Sequence, residues 1–217
     1  MLGVLALLLL TPSGASALDR TVSVRGTATQ EVPNDTASLG FSVTKERRSR
    51  SAALRIASIR LREVIAAVQT IPGVGPGDVT TGGVSLRKMT RGKRTVYRAV
   101  QSISVILHQP DRAGDLIAAA VAAGATGTRG PSFFPGDPEA AYDNTLVVAF
   151  DRAKAKASAL ATRAGAILGP AISIQEGTEV VPRNAKSKSP AAPETSPPVR
   201  PGGSTVTATV DVVFALQ

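Results

Sequence analysis

The 217-residue chain contains no cysteine, no tryptophan and one histidine, and aromatic residues make up only 3% of it. Without cysteine there is no disulfide scaffold, no thiolate nucleophile and no thiolate metal site. A chain of about 200 residues buries enough apolar surface to be stable without such cross-links. A Ser-His-Asp triad would have to be built around His108, and no G-x-S-x-G sequence supplies its serine.

Two segments match catalytic patterns only in part. Ser42-Val-Thr-Lys45 fits the S-x-x-K of penicillin-interacting enzymes, but it lies on an alternating strand, and no S-D-N or K-T-G follows. The glycines at positions 73, 75 and 77 follow a predicted helix and precede a strand, which is the reverse of a dinucleotide-binding fingerprint. We therefore predict a non-enzymatic protein with no catalytic residue, no cofactor and no metal site.

The first 17 residues are typical of a secretory signal peptide. Met1 to Leu10 is an uninterrupted apolar run, and Ala15-Ser-Ala17 supplies an A-x-A cleavage site behind it. The run is too short for a transmembrane helix, which needs about 20 apolar residues. The sequence thus predicts an exported protein of the periplasm or cell envelope, with 1–17 removed and 18–217 forming one domain.

Positive charge is concentrated in the first half of the chain. Between residues 18 and 110 there are fifteen Lys and Arg against six Asp and Glu, whereas residues 111–217 contain ten of each. A basic surface favours polyanions, which for an exported protein are envelope polymers or lipid headgroups. Nucleic acid is disfavoured, because single strands need aromatic stacking that the chain barely supplies. The predicted polyanion-binding residues are Lys45, Arg47, Arg48, Arg55, Arg62, Arg87, Lys88, Arg91, Lys93 and Arg94.

Alternation and helical periodicity predict the secondary structure of the first half. Strands are expected at 21–29 and 35–45, then a helix that Ser49 or Ser51 caps and that ends before Pro72-Gly73. Residues 78–88 and 94–108 are predicted to form a hairpin whose basic tip spans 87–94. A short helix begins at Pro110-Asp111 and stops at Gly124, and 132–134 is a weak strand.

The second half contains the strongest helix signal. Asp137-Pro138-Glu139 combines a capping Asp, a Pro at the first helical position and an acid in the first turn, and the helix should run to about Ala164. Strands are predicted at 171–175 and 205–216, and the proline-rich segment 181–204 is predicted to be a disordered loop. The buried stripe of the long helix is predicted to comprise Tyr142, Leu146, Ala149, Ala153, Ala157, Leu160 and Ala164.

These elements predict an α+β fold in which antiparallel sheets pack against one long and two shorter helices, in the order ββαββα(β)αββ. Several short segments follow one another in a distinctive order and spacing: Val22-Ser-Val-Arg-Gly26, Val32-Pro33-Asn34-Asp35, Asp78-Val-Thr-Thr-Gly82, Ala123-Gly124-Ala125, and Ala153 to Leu160 followed by Leu168 to Glu176. Together they resemble the SIMPL-domain family, which includes periplasmic immunogenic proteins. The resemblance covers nearly all of the mature chain, although Asn34 is inserted between Pro33 and Asp35 and the proline-rich loop is long.

The resemblance implies an exported α+β protein, members of whose family form channel-like or ring-like oligomers and are linked to stress defence. It supplies no catalytic residues to carry over. We therefore predict a self-associating envelope protein that binds anionic polymers. Two alternatives stay open: a cell-wall enzyme using carboxylates such as Asp137, Glu139 and Asp143, which could also bind a hard cation, and a small-ligand-binding module.

Overall fold

A computed structural model of the chain describes residues 20–177, 180–184 and 200–217. The predicted signal peptide lies outside these residues. In chain order the elements are β1 (Thr21–Pro33), β2 (Thr36–Arg47), α1 (Arg50–Val68), β3 (Val79–Arg91), β4 (Arg94–Leu107), a 3₁₀ turn (Pro110–Arg112), α2 (Ala113–Ala122), β5 (Gly127–Phe134), α3 (Pro138–Arg163), β6 (Leu168–Glu176), β7 (Val180–Asn184) and β8 (Gly203–Leu216). The predicted α+β class is confirmed.

The strands divide into two antiparallel sheets. In the first sheet, β8 lies between β1 on one side and β6 and β7 on the other, with Thr21 opposite Ala215 and Pro33 opposite Gly203. The second sheet has the order β3-β4-β2-β5. Because β1 and β2 belong to different sheets, the short Asn34-Asp35 connection joins the two halves of the fold.

Each sheet packs helices on one face and leaves the other face open. One core lies between the second sheet, α1 and α2 and includes Leu39, Phe41, Ile103 and Leu116. The other lies between the first sheet and α3, where the alternating residues 206, 208, 210, 212 and 214 of β8 are buried. Strict alternation is what a sheet with one dry face requires.

The helix boundaries follow from the capping residues. The Ser49 hydroxyl accepts from the amide of Ala52 at 3.2 Å and begins α1. The carboxylate of Asp137 accepts from the amide of Ala140 at 2.8 Å, and Pro138 occupies the first position of α3. Both starts match the predicted caps.

The buried face of α3 differs from the prediction. Leu160 is 53% exposed and Ala164 is exposed as well, so the expected stripe is wrong at its end. Most of the buried residues instead follow steps of four, a ridge inclined by about 26° to the helix axis, so the contact line turns away from Leu160. This ridge consists of Ala141, Thr145, Ala149, Ala153, Ala157 and Ala161.

One strand is longer than predicted, and another was not predicted. The weak strand predicted at 132–134 extends over Gly127–Phe134, because its backbone pairs with β2 even where its side chains do not alternate. The loop predicted at 181–204 is shorter, since β7 pairs with β8 and β8 begins at Gly203. Pro182 lies where the β7 register shifts, a place in a sheet that tolerates proline. Residues 185–199 of that loop lie outside the described residues.

Candidate functional site

Strand pairing brings the two predicted basic segments together at one end of the second sheet. Arg47 lies opposite Tyr97, and Tyr97 lies opposite Lys88 on its other side. The C-terminal end of β2 therefore lies beside the tip of the β3–β4 hairpin, about 40 residues away in sequence. We call this surface the basic end; it comprises Lys45, Arg47, Arg48, Arg50, Arg87, Lys88, Arg91, Lys93, Arg94 and Arg98.

Cations of the basic end lie on both faces of the sheet. Buried Val43 faces α1, so Lys45 and Arg47 continue its face, whereas Glu46 lies on the open face. Arg98 and Arg87 share that open face because they lie opposite Glu46 in successive strands. The hairpin contributes no opposing charge, since residues 79–110 include neither Asp nor Glu.

Glu46 is the acid at the centre of the basic end. Its carboxylate accepts from Nε of Arg98 at 2.8 Å and from Nε of Arg91 at 3.1 Å. Hydrogen bonds from Arg91 and then Arg98 hold the pKa of this carboxyl below its ordinary value, because both guanidinium groups favour the charged form. One carboxylate therefore orients two arginines of the hairpin and leaves most cations of this surface without an acidic partner among the described residues.

The basic end also contains an arginine stacked on an aromatic ring. The guanidinium carbon of Arg50, the first residue of α1, lies 5.2 Å from the ring centroid of Tyr97. Tyr97 is partly buried against the core of the second sheet, so this contact ties the start of α1 to β4.

Arg55 and Arg62 are the two predicted residues that lie elsewhere. Both are exposed on α1, which covers the opposite face of the sheet from Glu46. Arg62 is twelve residues into the helix, about 18 Å from its first residue. The structure thus unites eight of the ten predicted polyanion-binding residues and separates these two from them.

The predicted set of binding residues omits some cations that the fold places near this surface. Arg50 and Arg98 lie within the two basic clusters of the sequence, and that clustering is the signal that identifies them. Arg129 has no such signal: β5 brings it opposite Gly40 on the open face, and the pairing joins positions about 90 residues apart.

His108 lies at the edge of a separate, open cleft of about 850 Å³. Its Nε2 is 3.3 Å from Oδ1 of Asp78, and that carboxylate also accepts from the amide of Gly75 at 2.6 Å through its other oxygen. The Gly75 hydrogen bond is the main cause that lowers the pKa of Asp78. Among the described residues, the lining combines Asp35, Asp111 and Asp115 with Arg112 and includes no serine or threonine.

The carboxylates considered for an enzyme lie on α3. Asp137 is occupied in capping the helix, and Glu139 and Asp143 are exposed. The described part of the chain contains no group of three or more His, Asp or Glu residues placed to bind a metal. Within the same residues no helix is long and apolar enough to cross a bilayer.

Comparison with known proteins places the chain in a family. The family model SIMPL, described as a protein of unknown function (DUF541), matches residues 22–214 and so spans both sheets and all three helices. No curated protein matches the chain.

Proposed function

We propose a function from one premise: the chain belongs to the SIMPL family, whose molecular activity is unknown. The protein is an exported, non-enzymatic component of the cell envelope that binds an anionic polymer through the basic end. The observation that carries this proposal is the convergence of cations from β2, α1 and the β3–β4 hairpin at one end of the second sheet, where Glu46 pairs with two of them. Such a concentration of one charge attracts polyanions.

Rigid placement of the cations supports binding rather than mere solubility. Glu46 holds Arg91 and Arg98 on the sheet, so less side-chain entropy is lost when these groups meet a ligand. Arginine also offers a planar set of donors that matches carboxylate and phosphate groups. A face that serves only to keep the protein soluble needs neither fixed arginines nor planar donors.

The test compares two triple variants of equal net charge. Arg87→Gln, Lys93→Gln and Arg94→Gln remove cations of the basic end that make no ion pair with a described residue. Arg55→Gln, Arg62→Gln and Lys154→Gln remove three exposed cations from the helices instead. Affinities for polygalacturonate and for polyphosphate are measured by calorimetry at low and physiological ionic strength.

We expect the first triple variant to bind both polymers about tenfold more weakly, since three exposed ionic contacts contribute about 0.5 kcal/mol each. The helix variant should retain the parent affinity. The parent affinity should fall with added salt, because exposed charges are screened. Equal loss in both variants, or binding by the parent protein that ignores salt, would overturn the proposal.

Export is tested separately on the secreted product. When the chain is expressed in a bacterium, we expect it outside the cytoplasm and starting at Leu18, because Ala15 and Ala17 form the cleavage site. Substituting Ala17→Arg should leave a precursor of higher mass. A cytoplasmic chain that keeps Met1 would contradict export.

Self-association is the last part of the proposal, and β6 supports it. This strand lies at an edge of the first sheet, and its side chains are exposed along most of its length. Ile172 and Ile174 are 60% and 58% exposed. An exposed edge strand with apolar side chains is a template for pairing with a second chain.

A further inference from the structure

The open face of the second sheet forms a shallow groove next to the basic end. Its volume is about 510 Å³, and small polar residues of β2, β4 and β5 line it. Its polar lining includes five serines: Ser38, Ser42, Ser102, Ser104 and Ser132. Among the described residues, none of these five hydroxyls hydrogen-bonds to another protein group.

The open faces of the two sheets differ in composition. The open face of the first sheet has β-branched threonines in facing positions, such as Thr29 opposite Thr207 and Thr27 opposite Thr209. The second sheet instead places Gly40 opposite Ser104, and β-branched residues favour strands whereas glycine is depleted from them. Small residues lower the floor of the groove at some cost in strand stability, which leaves room for an occupant.

Glycines on the neighbouring strands give the serine side chains their space. A Cβ atom on Gly127 would lie 2.6 Å from Oγ of Ser42, and one on Gly82 would lie 2.6 Å from Oγ of Ser102. Any larger residue at these positions would displace the hydroxyls. The glycines therefore preserve both the hydroxyl positions and the low floor.

On β4 the groove lining ends at Val100, and the next residue on the open face is Arg98 of the basic end. Along β4 the residues on the open face run from Arg98 through Ser102 to Ser104, a distance of about 20 Å at 3.3 Å per residue. Arg129 projects from β5 opposite Gly40 and adds a cation to the groove itself. A single extended chain can therefore contact hydroxyls and guanidinium groups together.

We propose that this groove binds an acidic polysaccharide chain, with the serine hydroxyls contacting sugar hydroxyls and Arg129 with the basic end contacting the acidic groups. This inference rests on the proposed function, because it names the class of polyanion that the protein takes. A serine hydroxyl both donates and accepts, as sugar hydroxyls do, whereas polyphosphate offers few donors. Charge complementarity with the arginines requires that the sugar chain be acidic.

Other polyanions fit the groove less well. Single-stranded nucleic acid needs exposed rings for base stacking, and Phe41, the aromatic residue in this lining, is only 1% exposed. A bilayer surface is broad, whereas this site is a narrow concavity between strands. A slender chain of hydroxylated units matches both the shape and the chemistry.

The test uses a substitution that should not harm the fold. In the double variant Ser38→Val and Ser104→Val, two hydroxyls are lost and the groove is filled, while valine favours the strand. The matched control is Ser23→Val with Thr27→Val on the open face of the first sheet. Thermal unfolding of both variants verifies the fold, and calorimetry measures binding to polygalacturonate and to polyphosphate.

We expect the groove variant to bind polygalacturonate about tenfold more weakly, because two hydrogen bonds are removed, and to bind polyphosphate as the parent does. Arg129→Gln should also weaken polygalacturonate binding, and the control variant should bind both polymers normally. The groove proposal is overturned if the groove variant binds polygalacturonate as the parent does, or if its affinity falls equally for both polymers. Either result leaves the basic end intact as a polyanion site. Failure of the parent protein to bind either polymer would overturn both proposals.

Discussion

The hydroxyl of Ser204 donates to Oδ1 of Asn34 at 2.6 Å, and both residues are buried. Asn34 also donates through Nδ2 to the carbonyl of Pro201 at 2.9 Å and through its backbone amide to the carbonyl of Gly202 at 3.2 Å. These hydrogen bonds tie the connection between β1 and β2 to the segment 201–204 at the start of β8.

Asn34→Ala should destabilise the protein by about 1 to 2 kcal/mol, because it removes a buried hydrogen bond with the Ser204 hydroxyl and a part-buried one to the carbonyl of Pro201. Urea unfolding followed by circular dichroism measures the change. Gln109→Ala, an exposed position in the neighbouring cleft, is the control and should shift stability by less than about 0.5 kcal/mol. Equal stability of the two variants would contradict a structural role for Asn34.

Gly26→Ala should destabilise the first sheet through a steric clash with α3. A Cβ atom at position 26 would overlap the carbonyl of Ala149 and lie 2.9 Å from Cβ of Ala153. Backbone must move to admit it, which costs about 2 to 3 kcal/mol. Gly114→Ala in α2 meets nothing within 4 Å and should instead gain about 0.5 to 1 kcal/mol from helix propensity.

A melting temperature measured for both glycine variants decides this prediction. Opposite signs are expected, with Gly26→Ala lowered and Gly114→Ala raised. If Gly26→Ala has the same melting temperature as the parent protein, β1 and α3 do not pack closely at this position.

Local sequence patterns predicted the individual helices and strands better than they predicted how these elements pair and pack. The start of α3 was predictable because Asp137 and Pro138 act on their own helix, and the alternation of β8 was predictable because each residue reports its own burial. The pairing of Thr21 with Ala215 joins positions about 190 residues apart and leaves no local signal. For the same reason the basic hairpin was visible in the sequence, whereas its contact with Glu46 and the place of Arg129 were not.

Glu46→Gln should weaken the fold in a pH-dependent way. Because Arg91 and Arg98 lower the pKa of Glu46 in the folded chain, the ion pairs stabilise the fold above about pH 4.3. This contribution is lost as the pH falls further through the lowered pKa. The difference in melting temperature between parent and variant should therefore be largest near neutral pH and vanish in acid.

The same variant should bind polyphosphate about twofold more tightly at neutral pH, because removing a negative charge from the basic end outweighs the lost anchoring of Arg91 and Arg98. Glu176→Gln, an exposed acid on β6, is the matched control and should change neither property. A melting difference that is the same at every pH would show that the ion pairs of Glu46 do not stabilise the fold.

Charged residues on β6 should abolish self-association. Ile172→Lys with Ile174→Lys places two cations on an exposed edge strand, where repulsion between copies and loss of apolar contact both oppose pairing. Val147→Lys with Leu160→Lys, at exposed positions of α3, adds the same charge away from that edge and should leave the assembly intact. Light scattering coupled to size-exclusion chromatography measures the masses. We expect the β6 variant to be a monomer and the control variant to assemble as the parent does. A monomeric parent protein, or a β6 variant that still assembles, contradicts pairing through this strand.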